Sequence, residues 1–556
     1  MVKIAGCCLL VFTTFTSVIY QQPKFLTMRL AFIALLFLSI LQLNAQVWQP
    51  DMGDGTYRNP IIHADYSDPD VVRVGDDFYL TASSFNCAPA LPILHSKDLV
   101  NWEIINYAFK HQPPADFFAK PQHGNGVWAP AFRYHDGWFY IFYGDPDFGI
   151  YMVKTQDPAG EWTPPHLVHA AKGWIDPCPF WDDDGKAYLV HAFAGSRAGI
   201  KSIVVVHEMA PDASKLLDDG VLVFDGHEAH TTIEGTKMHK RNDYYYILAP
   251  AGGVPTGWQT VLRSKNVWGP YEDKIVLHQG DSDINGPHQG AWVELANGDD
   301  WFIHFQEKQP YGRIVHLQPA RWENDWLMIG KDSNGDGIGE PVASWEKPNV
   351  KTSSTIKVPQ TSDEFNTPIL GLQWQWHANP EPTWAFPSAM GFLRMNPVVQ
   401  KEITNLWEAP NLLLQKMPAE TFTATTKFTF HHHFDSEKTG LMVMGRDYAY
   451  LALVQQDSQL FLQQTECIKA ENGQPERIVK SIPIDQNEIF LQVKVTEGGK
   501  CQFLYSLNGE TFIPIGEVFM AREGKWIGAK VGLFSIRDEH ENNGGYADFD
   551  WFRITP

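Results

Sequence analysis

Three acidic side chains stand where a folded chain could use them. Asp68 lies in Ala64-Asp65-Tyr66-Ser67-Asp68-Pro69-Asp70-Val71-Val72, where an acid-rich turn runs directly into an apolar strand. Asp176 repeats the Asp-Pro pair in Trp174-Ile175-Asp176-Pro177, and Glu234 sits in the apolar-flanked Ile233-Glu234-Gly235. Proline fixes its own φ and pushes the preceding residue out of the helical region. An aspartate before proline therefore has a stiff backbone and a side chain aimed in one direction. Carboxyl groups held this way can donate and remove protons. The competing reading is an ordinary β-turn, where Asp and Pro are common.

The elements that must position these acids are short strands. A polar turn followed by an aromatic strand recurs at Asp76-Asp77-Phe78-Tyr79, Asp136-Gly137-Trp138-Phe139-Tyr140, Asp184-Gly185-Lys186-Ala187-Tyr188, Asn242-Asp243-Tyr244-Tyr245-Tyr246 and Gly298-Asp299-Asp300-Trp301-Phe302. The turn positions Asp77, Gly137, Gly185, Asp243 and Asp299 are 48 to 60 residues apart. Each is a hairpin signal, and all-β units repeating at that period are the signature of propeller blades. The fold class is therefore all-β, with a five-bladed β-propeller over residues 46–330. A two-sheet sandwich would explain the hairpins but not their fivefold recurrence.

Residues 331–360 change in composition and read as a linker. They open with Asp332-Ser333-Asn334-Gly335-Asp336-Gly337, which has the first three oxygen ligands of an EF-hand-like calcium loop. The twelfth position is Ala343 instead of glutamate, so an Asn-Gly, Asp-Gly turn is the competing reading. Alternating strands such as Phe422–Phe434 then continue to Tyr546-Ala547-Asp548-Phe549-Asp550-Trp551, making residues 361–556 a β-sandwich. Within it, His431 to His433 alternate along a strand and cannot form a tight metal site.

The chain has 556 residues, too many for one ordinary core, and is 44% hydrophobic and 20% charged. A formal charge of -21 argues against nucleic acid and anionic membrane surfaces as partners. Twenty Trp offer flat surfaces on which sugars stack, although Trp is also core material. The first 45 residues read as an export signal. Met28-Arg29 precedes an apolar run from Leu30 to Leu41, and Leu43-Asn44-Ala45 suits cleavage before Gln46. Met28 is then the true start, the alternative being one long N-terminal anchor. The expected location is periplasmic or extracellular, and no later stretch resembles a membrane helix. Cys87, Cys178, Cys467 and Cys501 remain in the mature part and are expected to be mostly free.

In order, these motifs resemble glycoside hydrolase family 43. The resemblance rests on residues 57–102, Val127-Trp128-Ala129-Pro130, Trp174-Ile175-Asp176-Pro177 and Ile233-Glu234-Gly235-Thr236-Lys237. Gly286-Pro287-His288-Gln289-Gly290, Tyr311-Gly312-Arg313 and Ala547-Asp548-Phe549-Asp550-Trp551 complete it. It covers nearly the whole mature chain and implies a concanavalin-like jelly roll of the kind found on β-xylosidase-type members.

The resemblance implies Asp68 as general base, Glu234 as general acid and Asp176 as the carboxylate that tunes and orients the acid. An inverting glycosidase needs its acid and base about 6.5–9.5 Å apart to admit a water. A nearby ionised Asp176 would keep Glu234 protonated. By the same resemblance Arg313 and His288 contact sugar hydroxyls, and Phe85 and Trp128 wall the terminal sugar. No cofactor is required. Calcium is an option at His288, and independently at the Asp332, Asn334, Asp336 loop. The implied activity is exo-acting, inverting release of terminal β-D-xylose or α-L-arabinofuranose. Its sources would be xylan, arabinoxylan, arabinan or arabinogalactan fragments. The alternatives are an exo-galactan hydrolase of the same fold, and a propeller that binds glycans without cleaving them.

Overall fold

A computed structural model describes residues 46–351, 355–400, 403–538 and 543–556. The expected export segment, residues 1–45, lies outside the described residues. No helix among the described residues is long and apolar enough to cross a membrane.

Five four-stranded antiparallel sheets follow one another along the chain. Their first strands are Asp70–Val74, Trp128–His135, Trp174–Trp181, Lys237–Arg241 and His288–Glu294. The five aromatic turns named above are the first hairpins of the five sheets. Four pairs of neighbouring first strands touch, which makes these the innermost strands of a propeller. Each sheet keeps its four strands consecutive, so no strand is exchanged to close the ring. Closure comes instead from the segment ahead of the first blade. Ile62 pairs with Val315, Tyr66 N–H donates to Arg313 O, and the Tyr57 hydroxyl reaches Leu317 O at 2.8 Å. Tyr57, Ile61, Ile62, Val315 and Leu317 are buried in one apolar cluster, so the seam is held by packing as well.

Much of the expected linker belongs to the propeller. Ser344–Glu346 pairs with Thr56–Arg58, Gly339 bridges Leu277, and Val342 and Glu340 are buried. The residues that follow the turn, together with Gly339 itself, fix where this segment lies. Within the Gly/Asp loop, Asp332 accepts amide hydrogens from Gly335 and Gly337, and Asp336 accepts one from Ile338.

The second region forms two eight-stranded sheets among the described residues. Their facing sides share one core that includes Trp374, Phe428, Leu451, Phe503 and Phe549. Along Phe422–His431 the side chains alternate between buried and half-buried, as one covered sheet face requires.

The sandwich is joined to the propeller by paired backbone and buried polar contacts. Ala88 and Trp376 exchange both backbone hydrogen bonds. Asp65, 3% exposed, joins three parts of the molecule. It sits ahead of the first blade, accepts Arg313 N–H of the fifth blade at 2.9 Å, and accepts Gly528 N–H of the sandwich at 3.0 Å. Replacing it leaves two buried N–H groups without acceptors, at about 1–3 kcal/mol each. Asp65→Ala is therefore expected to lower the urea midpoint with an unchanged m-value and to reduce turnover. An unchanged midpoint would show that the joint is held elsewhere.

Candidate active site

The three acids are delivered by a backbone feature repeated around the ring. Asp68, Ala129, Asp176, Gly235 and Gln289 all have positive φ, at 54°, 29°, 57°, 65° and 41°. Each lies at the start of the innermost strand of its blade. In blades two, three and five the residue falls inside a β-bulge, between Trp128 and Ala131, Ile175 and Cys178, and His288 and Gly290. Asp68 and Asp176, each before proline, are held outside the right-handed helical region, in the left-handed one. Such conformations cost about 1–3 kcal/mol each and persist only where surrounding structure fixes them.

The surroundings are specific. The Ser67 and Ser83 hydroxyls donate to Asp68 Oδ2 at 2.7 and 2.6 Å, and Arg313 Nη1 donates to Oδ1 at 3.2 Å. Every one of these contacts is a donor, so the carboxylate is held as an acceptor. Ser83 itself accepts Ala129 N–H at 2.8 Å, which carries the chain of bonds into blade two. The neighbouring Asp70 takes Phe132 N–H and the Arg133 guanidinium. Arg133 then reaches Cys178 Sγ at 3.0 Å, and Met238 N–H reaches the same sulfur at 3.2 Å. Blades one to four are thus linked in succession near the axis.

The Glu234-Gly235-Thr236-Lys237 run can be explained residue by residue. Glu234 lines the cavity, and Gly235 N–H donates to Asp176 Oδ2 at 2.6 Å. A side chain on Gly235 would be strained at its φ of 65° and would meet Pro250 at 2.8 Å. The Thr236 hydroxyl donates to Asp176 O, and the buried Lys237 ammonium crosses to Pro130 O at 2.9 Å.

Asp68, Asp176 and Glu234 line one cavity of about 440 Å³, together with Phe85, Trp128 and Arg313. Six of the seven residues expected at the site are therefore together. The seventh, His288, was expected to contact sugar; it is fully buried and outside the lining. Its Nε2 lies 3.2 Å from Glu234 Oε1, where it orients the acid. Among the described residues no group of three or more His, Cys, Asp or Glu side chains is placed to hold a metal ion, so neither His288 nor the Asp332–Asp336 loop belongs to such a group.

Cys87, Cys178, Cys467 and Cys501 are free and buried. Cys87 accepts the Lys530 ammonium at 2.9 Å behind the Phe85 wall.

Several lining residues were not legible in the sequence. Trp526 enters from a sandwich loop with φ 65°, and its ring lies 6.4 Å from Trp128, as Phe85 does from the other side. Gly124 permits this approach, since a Cβ there would lie 2.9 Å from Trp526. Gln289 and Arg313 both line the cavity, and Gln289 Nε2 and Arg313 Nε are buried there without a hydrogen-bond partner. The glycines around Glu523-Gly524-Lys525-Trp526-Ile527-Gly528 were the one available signal for the loop.

Burial differs sharply between the two neighbouring acids. Asp176 is 3% exposed, while the Glu234 side chain is 23% exposed. Burial first, then the charge of Glu234 and more weakly that of Asp68, push the Asp176 carboxyl up to about 7. Gly235 N–H and Lys237 oppose the shift. The sequence argument placed the charge on Asp176 and the proton on Glu234. The structure puts the larger desolvation on Asp176, so the pair retains a proton toward neutral pH.

An all-β propeller with three carboxyls converging on an aromatic-walled cavity defines a glycosidase. The comparisons agree. Residues 57–327 match the family Glycosyl hydrolases family 43, and residues 362–555 match the Beta xylosidase C-terminal Concanavalin A-like domain. The chain belongs to glycoside hydrolase family 43. It is 41% identical over 497 residues, 89% of each chain, to a Xylanibacter ruminicola protein with a provisional beta-xylosidase name. It is 31% identical to a beta-xylosidase of Formosa agariphila, over 90% of each chain. The solved xylan beta-1,4-xylosidase of Bacillus halodurans C-125 superposes with a TM-score of 0.79 at 25% identity, covering 90% of this chain and all of that one.

The raised Asp176 value has a sign that can be tested. The folded state holds this proton where the unfolded chain has released it, so its contribution to stability falls as pH rises from about 4 to about 7. Asp176→Asn removes the titration. Its Tm relative to the native protein should climb across that window and level off above it, while turnover drops. Parallel Tm curves for the two proteins would overturn the assignment.

Proposed function

We propose that this protein is an exo-acting, inverting hydrolase that releases terminal pentose, β-D-xylose or α-L-arabinofuranose, from xylan-type polysaccharide or its oligosaccharides. The observation that carries the reading is the unequal setting of two acids in one cavity. Asp68 is surrounded by donors, and Glu234 is paired with the buried, proton-retaining Asp176. Asp68 removes a proton from water as the oxygen attacks the anomeric carbon. The proton that the Glu234–Asp176 pair retains is delivered through Glu234 to the departing glycosidic oxygen, the old C–O bond breaks, and configuration inverts. Exchange with solvent restores both groups.

Exo action is supported by the walls. Phe85 and Trp128, the Gly253-Val254-Pro255 loop and Trp526 surround the acids, which favours a chain end over a continuous chain. Gln289 and Arg313 line the same cavity and carry N–H donors of the kind that sugar hydroxyls accept. Pentose is supported by the relatives, which include a non-reducing end alpha-L-arabinofuranosidase of Bacteroides ovatus, 28% identical over 89% of this chain. The same reading has the enzyme exported, on the strength of the apolar run Leu30–Leu41 ahead of Ala45.

A panel of nitrophenyl pentosides and galactosides, with the released sugar identified, tests the specificity; galactose alone would overturn it. Glu234→Ala should abolish turnover of natural glycosides and spare dinitrophenyl pentosides, whose leaving group needs no proton. Equal loss on both would remove Glu234 from the acid role. Proton NMR of the first-formed sugar should show the anomer opposite to the substrate, and retention would exclude a water held between the carboxyls.

A further inference from the structure

A second feature of the propeller combines an aromatic platform with polar groups, far from the acids. Trp345 is 40% exposed, on the strand Ser344–Glu346, whose three residues are all exposed. An indole left open to water on a strand is unusual, because burying it would remove a large apolar area from solvent. Two cavities of about 510 and 230 Å³ meet at this ring, sharing Pro319, Ala320, Arg321 and Trp345. Together they form a groove bordered by the indole.

The groove carries hydrogen-bonding groups as well as the ring. Asp300 is among its lining residues, and its Oδ1 is fixed by the indole N–H groups of Trp292 at 2.7 Å and Trp322 at 3.3 Å. Asn349 and Glu346 lie along the same stretch. The strand bearing the platform is anchored, since the Lys347 ammonium bonds Asp51 at 2.5 Å and Asp98 at 3.3 Å. A flat apolar face beside fixed acceptors, an amide and a guanidinium matches a sugar chain, which shows alternating C–H faces and hydroxyls.

The groove lies at the opposite end of the fifth blade from the acids. In the strand Asp300–Lys308, Asp300 lines the groove and Glu307 lines the catalytic cavity. In the adjacent strand Gly312–Glu323, Ala320 and Arg313 divide in the same way. Seven residues of extended chain span about 23 Å. A sugar chain in the groove would therefore be held away from the acids and could not be cleaved there.

We propose that this groove, centred on Trp345, is a second carbohydrate-binding site that holds a pentose-containing polysaccharide and tethers the enzyme to it. The choice of pentose polymer rests on the function proposed above; the groove itself rests on its own geometry. The test is affinity electrophoresis of the full chain carrying Glu234→Gln, in gels containing arabinoxylan, arabinan or galactan. Retardation is expected in a pentose polymer. Adding Trp345→Ala should weaken it by about tenfold, and Trp345→Tyr should restore most of it. In the active background, Trp345→Ala should leave turnover of nitrophenyl pentosides unchanged. Absence of retardation, retardation only in galactan, or equal retardation with and without Trp345→Ala would each overturn the proposal. Equal weakening by Ala and Tyr would also overturn it, since it would show a fold defect rather than a lost platform. Nitrophenyl turnover reads the pocket and gel retardation reads the groove, so either reading can fail alone.

Discussion

The site depends on a backbone constraint: one left-handed residue where each blade's innermost strand begins. An extended residue there would continue the pleat and send its side chain above or below the sheet. With positive φ at Asp68 and Asp176 the strand entrance bends, and both carboxyls reach the cavity that Glu234 also lines. The cost of about 1–3 kcal/mol per residue is offset by bonds that exist only in the bent form. The Ser83 hydroxyl on Asp68 and the Gly235 amide on Asp176 are two of them. Strain and function are therefore coupled, and stiffness in the ring is a condition of the chemistry.

From that geometry follows a division of electrostatic labour. Asp68 is supplied with donors by its own turn, by the loop after the second strand of its blade, and by Arg313 from the last blade. Asp176 receives one strong amide bond and is otherwise buried between charges of its own sign, which drives its carboxyl up. The same residue type, before proline in both cases, is given a different set of partners by its neighbours. Lys237, buried beneath them with its ammonium on Pro130 O, limits how far that difference can go.

The sequence was informative where chemistry is local. The Asp-Pro pairs, the aromatic hairpin turns and the Glu234-Gly235-Thr236-Lys237 run are contiguous, and each maps onto a single strand entrance or hairpin. The fivefold period made the propeller legible in the same way. What could not be read was contact between distant segments. Trp526 and Phe85 are separated by most of the chain, and nothing local marks Gln289 as a residue of the cavity lining. His288 was correctly placed near the acids but given the wrong contact, because a motif identifies a position and not the direction of a ring. The supposed linker was misjudged for a related reason. Its glycines and aspartates are conspicuous, but Val342 and Glu340, which bury it against the propeller, carry no local signal.

The contact of Trp526 with Trp128 of the second blade and Arg313 of the fifth bears on how such an enzyme can be put together. Gly528 and Trp526 belong to one module, whereas Asp65, Phe85 and Trp128 belong to the other, and the catalytic chamber is finished only when both are present. The C-terminal module therefore cannot be exchanged as an interchangeable cassette in the manner of a tethered binding domain. Any replacement would have to bring a loop that sets an indole beside Trp128.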